Sequence, residues 1–164
     1  NEKINRMWKY DMLTQVLNRS GFFYCAETIL QKIKEEKSNA FIIFLDIDGL
    51  KSVNDNLGHE IGDAFIAKIA GILKEVVPKD CLIMRYGGDE FVVFGSCKQA
   101  GRMQRIAEDI KAAIKTADQK ENRSYHLAAS LGCSLHKSYE MDNLNSLIEL
   151  ADKKMYEEKK NKRR

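Results

Sequence analysis

Ala40-Phe41-Ile42-Ile43-Phe44-Leu45-Asp46 is the stretch that decides the fold. Its unbroken apolar run, Phe41 to Leu45, is far below the roughly 20 residues a membrane span needs. A short continuous apolar run suits a strand covered on both faces, so this segment is expected to be the central strand of a sheet. The run then stops at two carboxylates, Asp46 and Asp48, which the strand's packing would hold at one edge of that sheet.

Outward from this strand the pattern turns helical. Phe22, Phe23, Ala26, Ile29, Leu30 and Ile33 predict a helix capped by Asn18 or Ser20 and running to about Lys37. Ile4, Met7 and Trp8 mark residues 1–10 as the end of a linker or signalling helix, with the domain proper expected over 11–164. Downstream, a short helix is expected from Gly49 to Leu57, stopped by Gly58, and a longer one from about Glu60 to Val77, stopped by Pro78. Cys81 to Tyr86 and Glu90 to Phe94 read as strands of a hairpin, with Gly87 and Gly88 expected to supply the positive φ of a tight turn. A helix from Lys98 to about Ala117, a strand over Ser124 to His136 and a helix from Leu144 to Lys160 complete the chain. The order predicts an α+β fold, a palm-like, ferredoxin-like β-α-β-β-α-β core whose antiparallel-containing sheet is flanked by helices.

Composition agrees with one domain. The chain has 164 residues, 44% hydrophobic and 31% charged, with a single proline and ten glycines, which excludes disordered and collagen-like classes. Seven of the 27 basic and two of the 24 acidic residues fall between Lys153 and Arg164, so the remainder carries 20 basic against 22 acidic. Basicity confined to a tail gives little support to a nucleic-acid surface, which needs basic residues along a face or groove; a single phosphate group is the better target. Cys25, Cys81, Cys97 and Cys133 form no C-x-x-C pair, arguing against zinc or a redox dithiol and for reduced thiols in a cytoplasm. With no hydrophobic signal segment at its start, the domain is expected to be soluble and cytoplasmic, without membrane contact of its own, even if its parent protein is membrane-anchored.

Taken singly, Asp46 and Asp48 fit a strand turning into a loop, and Asp89 and Glu90 fit an ordinary turn. Together they carry more. A hairpin tip meeting the end of a neighbouring strand would bring up to four carboxylates into one cleft, which would repel itself without a divalent cation. All-oxygen ligands favour Mg²⁺ or Mn²⁺, ions commonly shared with a substrate's phosphates, and a nucleoside triphosphate is the natural partner. Lys51 and the backbone N–H groups of Gly49 and Leu50, opening a helix beside the ion, would cradle phosphate, although no Walker loop is present.

These residues resemble the GGDEF family of diguanylate cyclases. The naming motif stands complete in Arg85-Tyr86-Gly87-Gly88-Asp89-Glu90-Phe91. It is in register with Asp11-x-Leu13-Thr14-x-x-Leu17-Asn18-Arg19, with Asp46 to Lys51 as D-I-D-x-x-K, and with Asn54-Asp55-x-x-Gly58-His59-x-x-Gly62-Asp63. Ala151-Asp152-x-x-x-Tyr156-x-x-Lys159 matches near the end, so the likeness covers about residues 11 to 163.

The resemblance implies a reaction that joins two GTP into cyclic di-GMP, a bacterial second messenger, with release of two pyrophosphates. It implies that Asp46, Asp89 and Glu90 are catalytic, that two Mg²⁺ or Mn²⁺ ions are held by Asp46, the Ile47 carbonyl, Asp89 and Glu90, and that Lys51, Lys159 and Arg163 answer the triphosphate. Asn54 and Asp63 correspond to base readers, and an acceptor-only carboxylate suits guanine's N1–H and N2–H₂ edge. His59 reads as structural. Each domain is expected to hold one GTP, so turnover requires a homodimer, with an upstream sensory or dimerising module supplying it. The rival function is a catalytically silent, GTP-binding regulatory module. Two departures from the family pattern involve three positions. Pro78 and Cys81 occupy the places of an inhibitory Arg-x-x-Asp product site, implying weak or absent feedback there, and Lys162 stands where glycine is frequent, which puts the contact of Arg163 in question.

Overall fold

The structure is a computed structural model and describes residues 1–121, 124–140 and 143–163. Its four strands are β1 (Asn39–Ile47), β2 (Leu82–Arg85), β3 (Glu90–Cys97) and β4 (Ala129–His136). They form one sheet in the order β2-β3-β1-β4, with every pairing antiparallel. The helices are α1 (Glu2–Lys9), α2 (Arg19–Glu36), α3 (Leu50–Leu57), α4 (His59–Val76), α5 (Arg102–Lys120) and α6 (Leu144–Lys162). This is the expected α+β palm, with β1 inside the sheet.

β1 is apolar throughout because both of its faces are covered. Phe41, Ile43 and Leu45 pack with Phe91 and Val93 against Ile69 and Leu73 of α4 and Ile106 and Ile110 of α5. Ile42 and Phe44 turn the other way, onto Phe22, Ala26 and Ile33 of α2 and Ile148 and Ala151 of α6. Each such side chain removed from water contributes roughly 1.5–3 kcal/mol, so the register of β1 is fixed firmly and the position of its end with it. A run of this kind is characteristic of parallel sheets, and here helices on both sides impose it on an antiparallel one.

Three boundaries differ from expectation. β3 continues to Cys97 because β1 offers partners as far as Asn39, and α5 therefore starts at Arg102, behind Gly101 at φ +85°. β4 begins at Ala129 rather than Ser124. The segment before it is drawn to α5, where Asp118 accepts the Leu127 N–H at 2.8 Å and meets His126 Nδ1 at 3.0 Å. The hairpin glycines also differ, since positive φ among glycines is confined to Gly49, Gly58 and Gly101. At Gly87 a Cβ would meet the far end of the flexible Glu90 side chain, while Gly88 faces nothing within 4 Å. The turn is thus a four-residue connection closed by the Tyr86 N–H donating to the Glu90 carbonyl at 2.8 Å.

α1 lies against the start of α2. Trp8 packs edge-on to Tyr24 at 5.4 Å, and the Asn18 side chain donates to the Trp8 carbonyl at 3.0 Å while capping α2. Ile4 and Met7 remain exposed. No described helix is long and apolar enough to cross a membrane, and the four cysteines are free thiols.

Candidate active site

The end of β1 and the β2–β3 hairpin meet because they are neighbouring strands in register. Asp46 pairs across the ladder with Glu90, and the Ile47 N–H donates to the Asp89 carbonyl at 3.0 Å. The Asp89 carboxylate faces that of Asp46. Asp46 Oδ2 accepts from Lys159 Nζ of α6 at 2.9 Å, whereas Oδ1 is buried with no hydrogen-bond partner. Two carboxylate oxygens are both acceptors and cannot satisfy each other. Burial is the chief force pushing the Asp46 carboxyl up to about 7; Asp89 adds to it and Lys159 opposes it. The Glu90 carboxyl is also raised, by burial first and then by the negative charges of Asp89 and Asp152.

α3 forms the opposite wall. Gly49 takes φ +69°, turning the chain so that α3 starts directly after β1, and no side chain caps its first N–H groups. A cleft of about 340 Å³ lies between α3 and the hairpin, lined by Leu50, Lys51, Asn54 and Asp55, by His59 and Ile66 of α4, and by Arg85, Gly88 and Asp89. Asn54 Oδ1 is a second buried oxygen without a partner, lying against Gly62, where a Cβ would overlap it. A larger hollow of about 530 Å³ on another side of α4, lined by Leu57, Ile61, Phe65 and Tyr125 among others, includes neither of these unpartnered oxygens. The smaller cleft is where the unmet polar demand lies.

The predicted residues divide accordingly. Asp46, Asp89 and Glu90 converge, with buried Ile47 between them and the cleft formed by Leu50, Lys51 and Asn54 alongside. Lys159 reaches Asp46 directly. Asp63 is exposed, one position beyond Gly62, and does not line the cleft. Arg163 caps the end of α6 through its backbone and is exposed. Of the up to four carboxylates expected in one cleft, Asp46, Asp89 and Glu90 come together, while Asp48, 4.0 Å from Lys159 Nζ, is held by other partners. Asp48 Oδ1 accepts from Ser130 Oγ at 2.7 Å and Oδ2 from Lys162 Nζ at 2.9 Å, so both of its oxygens are committed. Among the described residues no three His, Cys, Asp or Glu side chains form a cage for a metal ion. The donor set nevertheless fits a hard cation in part, since Asp46 Oδ1 is an orphaned carboxylate oxygen beside Asp89, and the remaining ligands would come from backbone, water or phosphate.

The family profile "Diguanylate cyclase, GGDEF domain" matches residues 8–164. The chain belongs to the GGDEF diguanylate cyclase family. It is 29% identical to diguanylate cyclase A of Treponema denticola across 99% of this chain and 45% of that protein. It is 31% identical to diguanylate cyclase VdcA of Vibrio cholerae across 96% of this chain and 46% of that one. The chain therefore spans less than half the length of these curated relatives. Among solved structures, the coiled coil and GGDEF domain of DgcB from Caulobacter crescentus, in complex with c-di-GMP, superposes with a TM-score of 0.86 at 25% identity, covering 98% of this chain and 85% of that one.

The GGDEF hairpin has supports that the sequence reading quoted but gave no role. Arg85 donates to the Gly88 carbonyl at 2.8 Å and pairs with Asp11 at 3.2 Å, and Asp11 also accepts from Thr14 Oγ1 at 2.7 Å. Burial alone would raise the Asp11 carboxyl, but the Thr14 hydrogen bonds and the Arg85 guanidinium hold it below its ordinary value. Arg19 donates to the Tyr86 carbonyl at 2.9 Å and lies 4.0 Å over the Tyr86 ring. The signal was there, in two charged residues at fixed places in the opening motif, but a partner 74 positions away is invisible to local spacing.

Proposed function

We propose that this domain is one half-site of a diguanylate cyclase, binding a GTP in the cleft between α3 and the hairpin. The observation that carries the reading is Asp46 Oδ1, a buried carboxylate oxygen beside Asp89 that nothing in the protein satisfies. Unpaired buried acceptors are costly and rare, and at a strand end beside a helix N-terminus they call for a cation and an anion together. The two relatives named diguanylate cyclases and the c-di-GMP-bound neighbour support the same conclusion.

In this reading Asp46, Asp89 and the Ile47 carbonyl would hold Mg²⁺ or Mn²⁺, with Glu90 beside them. Two such ions would supply charge stabilisation at the α-phosphate and lower the pKa of the attacking 3′-hydroxyl. The N–H groups of Gly49 and Leu50 with Lys51 take the phosphates, and Lys159 and Arg163 offset the charge of the departing pyrophosphate. The Asn54 side-chain amide, which lines the cleft, contacts the base, and Asp63 reads the guanine donors from the rim. Two domains face to face place each 3′-oxygen in line with the other nucleotide's α-phosphorus. Two phosphodiester bonds form, two bonds to pyrophosphate break, and the hydroxyl protons leave. Residues 1–10 serve as a linker to a module that sets this pairing, in a cytoplasmic setting that supplies GTP.

The test is incubation of the dimerised protein with GTP and Mg²⁺ or Mn²⁺ and chromatography for cyclic di-GMP. Formation of the product, lost in Asp89→Ala with the fold retained, is expected. GTP binding without turnover would instead identify a silent regulatory module.

A further inference from the structure

Lys162, one of the positions that depart from the family pattern, is engaged. Its Nζ donates to Asp48 Oδ2 at 2.9 Å and to the Ala129 carbonyl at 2.6 Å. One turn earlier Glu158 accepts the Leu131 N–H, and its other oxygen holds Lys111 of α5 at 2.8 Å. β4 is an edge strand, and Ala129 and Leu131 share the parity that turns their backbone groups outward from β1. α6 therefore takes one exposed acceptor and one exposed donor of that edge, doing what a fifth strand would otherwise do. Farther back, α6 lies backbone to backbone on Gly132, where a Cβ would strike the Ala151 carbonyl and the Met155 nitrogen. Between the two edge contacts sits Lys159, whose ammonium meets Asp46 at 2.9 Å.

We propose that Lys162 is a positioning residue: with Glu158 it fastens the last turn of α6 to the open edge of β4, and through Asp48 it fixes the height at which Lys159 meets Asp46. The alternative role for an ammonium so near the cleft is direct contact with phosphate. The geometry disfavours it, because Nζ already directs two of its three N–H groups at Asp48 Oδ2 and the Ala129 carbonyl, and Asp48 is itself anchored by Ser130 and lies 4.0 Å from Lys159 Nζ. Asp48 thereby couples the two lysines, since its Oδ1 lies 4.0 Å from the Lys159 Nζ that meets Asp46. Its consequence for nucleotide rests on the GTP site proposed above; the fastening of the helix does not.

Two measurements on the full chain separate these. In amide hydrogen exchange without nucleotide, Lys162→Met is expected to speed exchange across the last turn of α6 by roughly 5-fold or more, with the central sheet unchanged and Lys162→Arg restoring protection. In calorimetric titration with α,β-methylene GTP and Mg²⁺, Lys162→Met and Asp48→Asn are each expected to weaken binding by about 3–10-fold, and the double variant no further, since both break one link. A direct phosphate contact predicts the opposite sign for Asp48→Asn, which would free the ammonium and remove a repelling charge. Tighter binding in Asp48→Asn, additive losses in the double variant, or unchanged exchange in Lys162→Met would each overturn the proposal. If the unsubstituted protein binds no α,β-methylene GTP, the proposed substrate fails, and the exchange experiment alone decides the role of Lys162.

Discussion

Two flanks of the GGDEF hairpin treat their polar groups in opposite ways. On the cleft side, Asp46 Oδ1 and Asn54 Oδ1 are buried without partners. On the far side, around the Pro78 to Cys81 loop that leads into β2, the charges are spent. Arg102 donates to the Ser96 carbonyl at 2.7 Å and to Asp80 Oδ1 at 2.6 Å, and burial pushes the Cys81 thiol up to about 11. A protein that leaves a buried acceptor unmet has left it for something outside itself, whereas a charge with its partner in place is scaffolding. Ser38 Oγ is the third unpartnered buried side-chain oxygen among the described residues, but a neutral hydroxyl that can rotate makes a smaller demand than a carboxylate.

The contrast is easiest to break at its strongest point. Asp46→Asn and Asp89→Ala should lower cyclic di-GMP formation by about 10³-fold or more, while the melting temperature of Asp46→Asn stays level or rises, because a buried carboxylate facing a second one destabilises the fold. A large drop in melting temperature would instead make Asp46 a structural residue. Next comes Asn54→Ala, expected to weaken α,β-methylene GTP binding by about 10-fold, with Gly62→Ala doing the same by driving the Asn54 amide out of place.

On the far flank the signs reverse. Arg102→Ala should cost about 1 kcal/mol of stability in denaturant titration, through the lost bond to the Ser96 carbonyl, and leave GTP-analogue affinity unchanged. If the proposed activity holds, cyclic di-GMP added to the unsubstituted protein should inhibit it weakly and only in competition with GTP. Tight noncompetitive inhibition would show that this flank binds ligand after all.

The smallest expected effect is a third instance of a satisfied buried polar group. His136 Nε2 meets Ser134 Oγ at 2.8 Å inside the fold. Burial lowers the His136 pKa below 6.5, Lys154 acts the same way, and Glu140 opposes them. A depressed folded value means that the unfolded chain binds the proton more readily. The contribution is therefore present above pH 6.5 and fades as pH falls through the folded value. Protonation of Asp46 stabilises the fold over the same range, so the signature is a difference: relative to His136→Gln, the unsubstituted protein should lose melting temperature as pH falls from 7 to 5.

Much of this molecule was legible before any coordinates. The run Phe41 to Leu45 identified the central strand because five apolar residues in sequence need cover on both faces, and helix stripes such as Phe65, Ile69 and Ile72 supplied that cover. Asp46, Asp89 and Glu90 could be assigned to one place because they sit at the ends of neighbouring strands, while Lys51 follows β1 on the next helix and Asn54 was placed by the family resemblance. The exposed setting of Asp63, the commitment of Asp48 to Ser130 and Lys162, and the pairing of Arg85 with Asp11 could not be read in this way. Nor could the backbone of Gly87 and Gly88, which takes no left-handed turn although both residues sit in a hairpin. Local sequence dictates periodicity, caps and the ends of elements because these depend on neighbours a few residues apart. Which of two aspartates keeps a free oxygen depends on a lysine more than a hundred positions later, and only packing α6 against β4 decides where that ammonium lands.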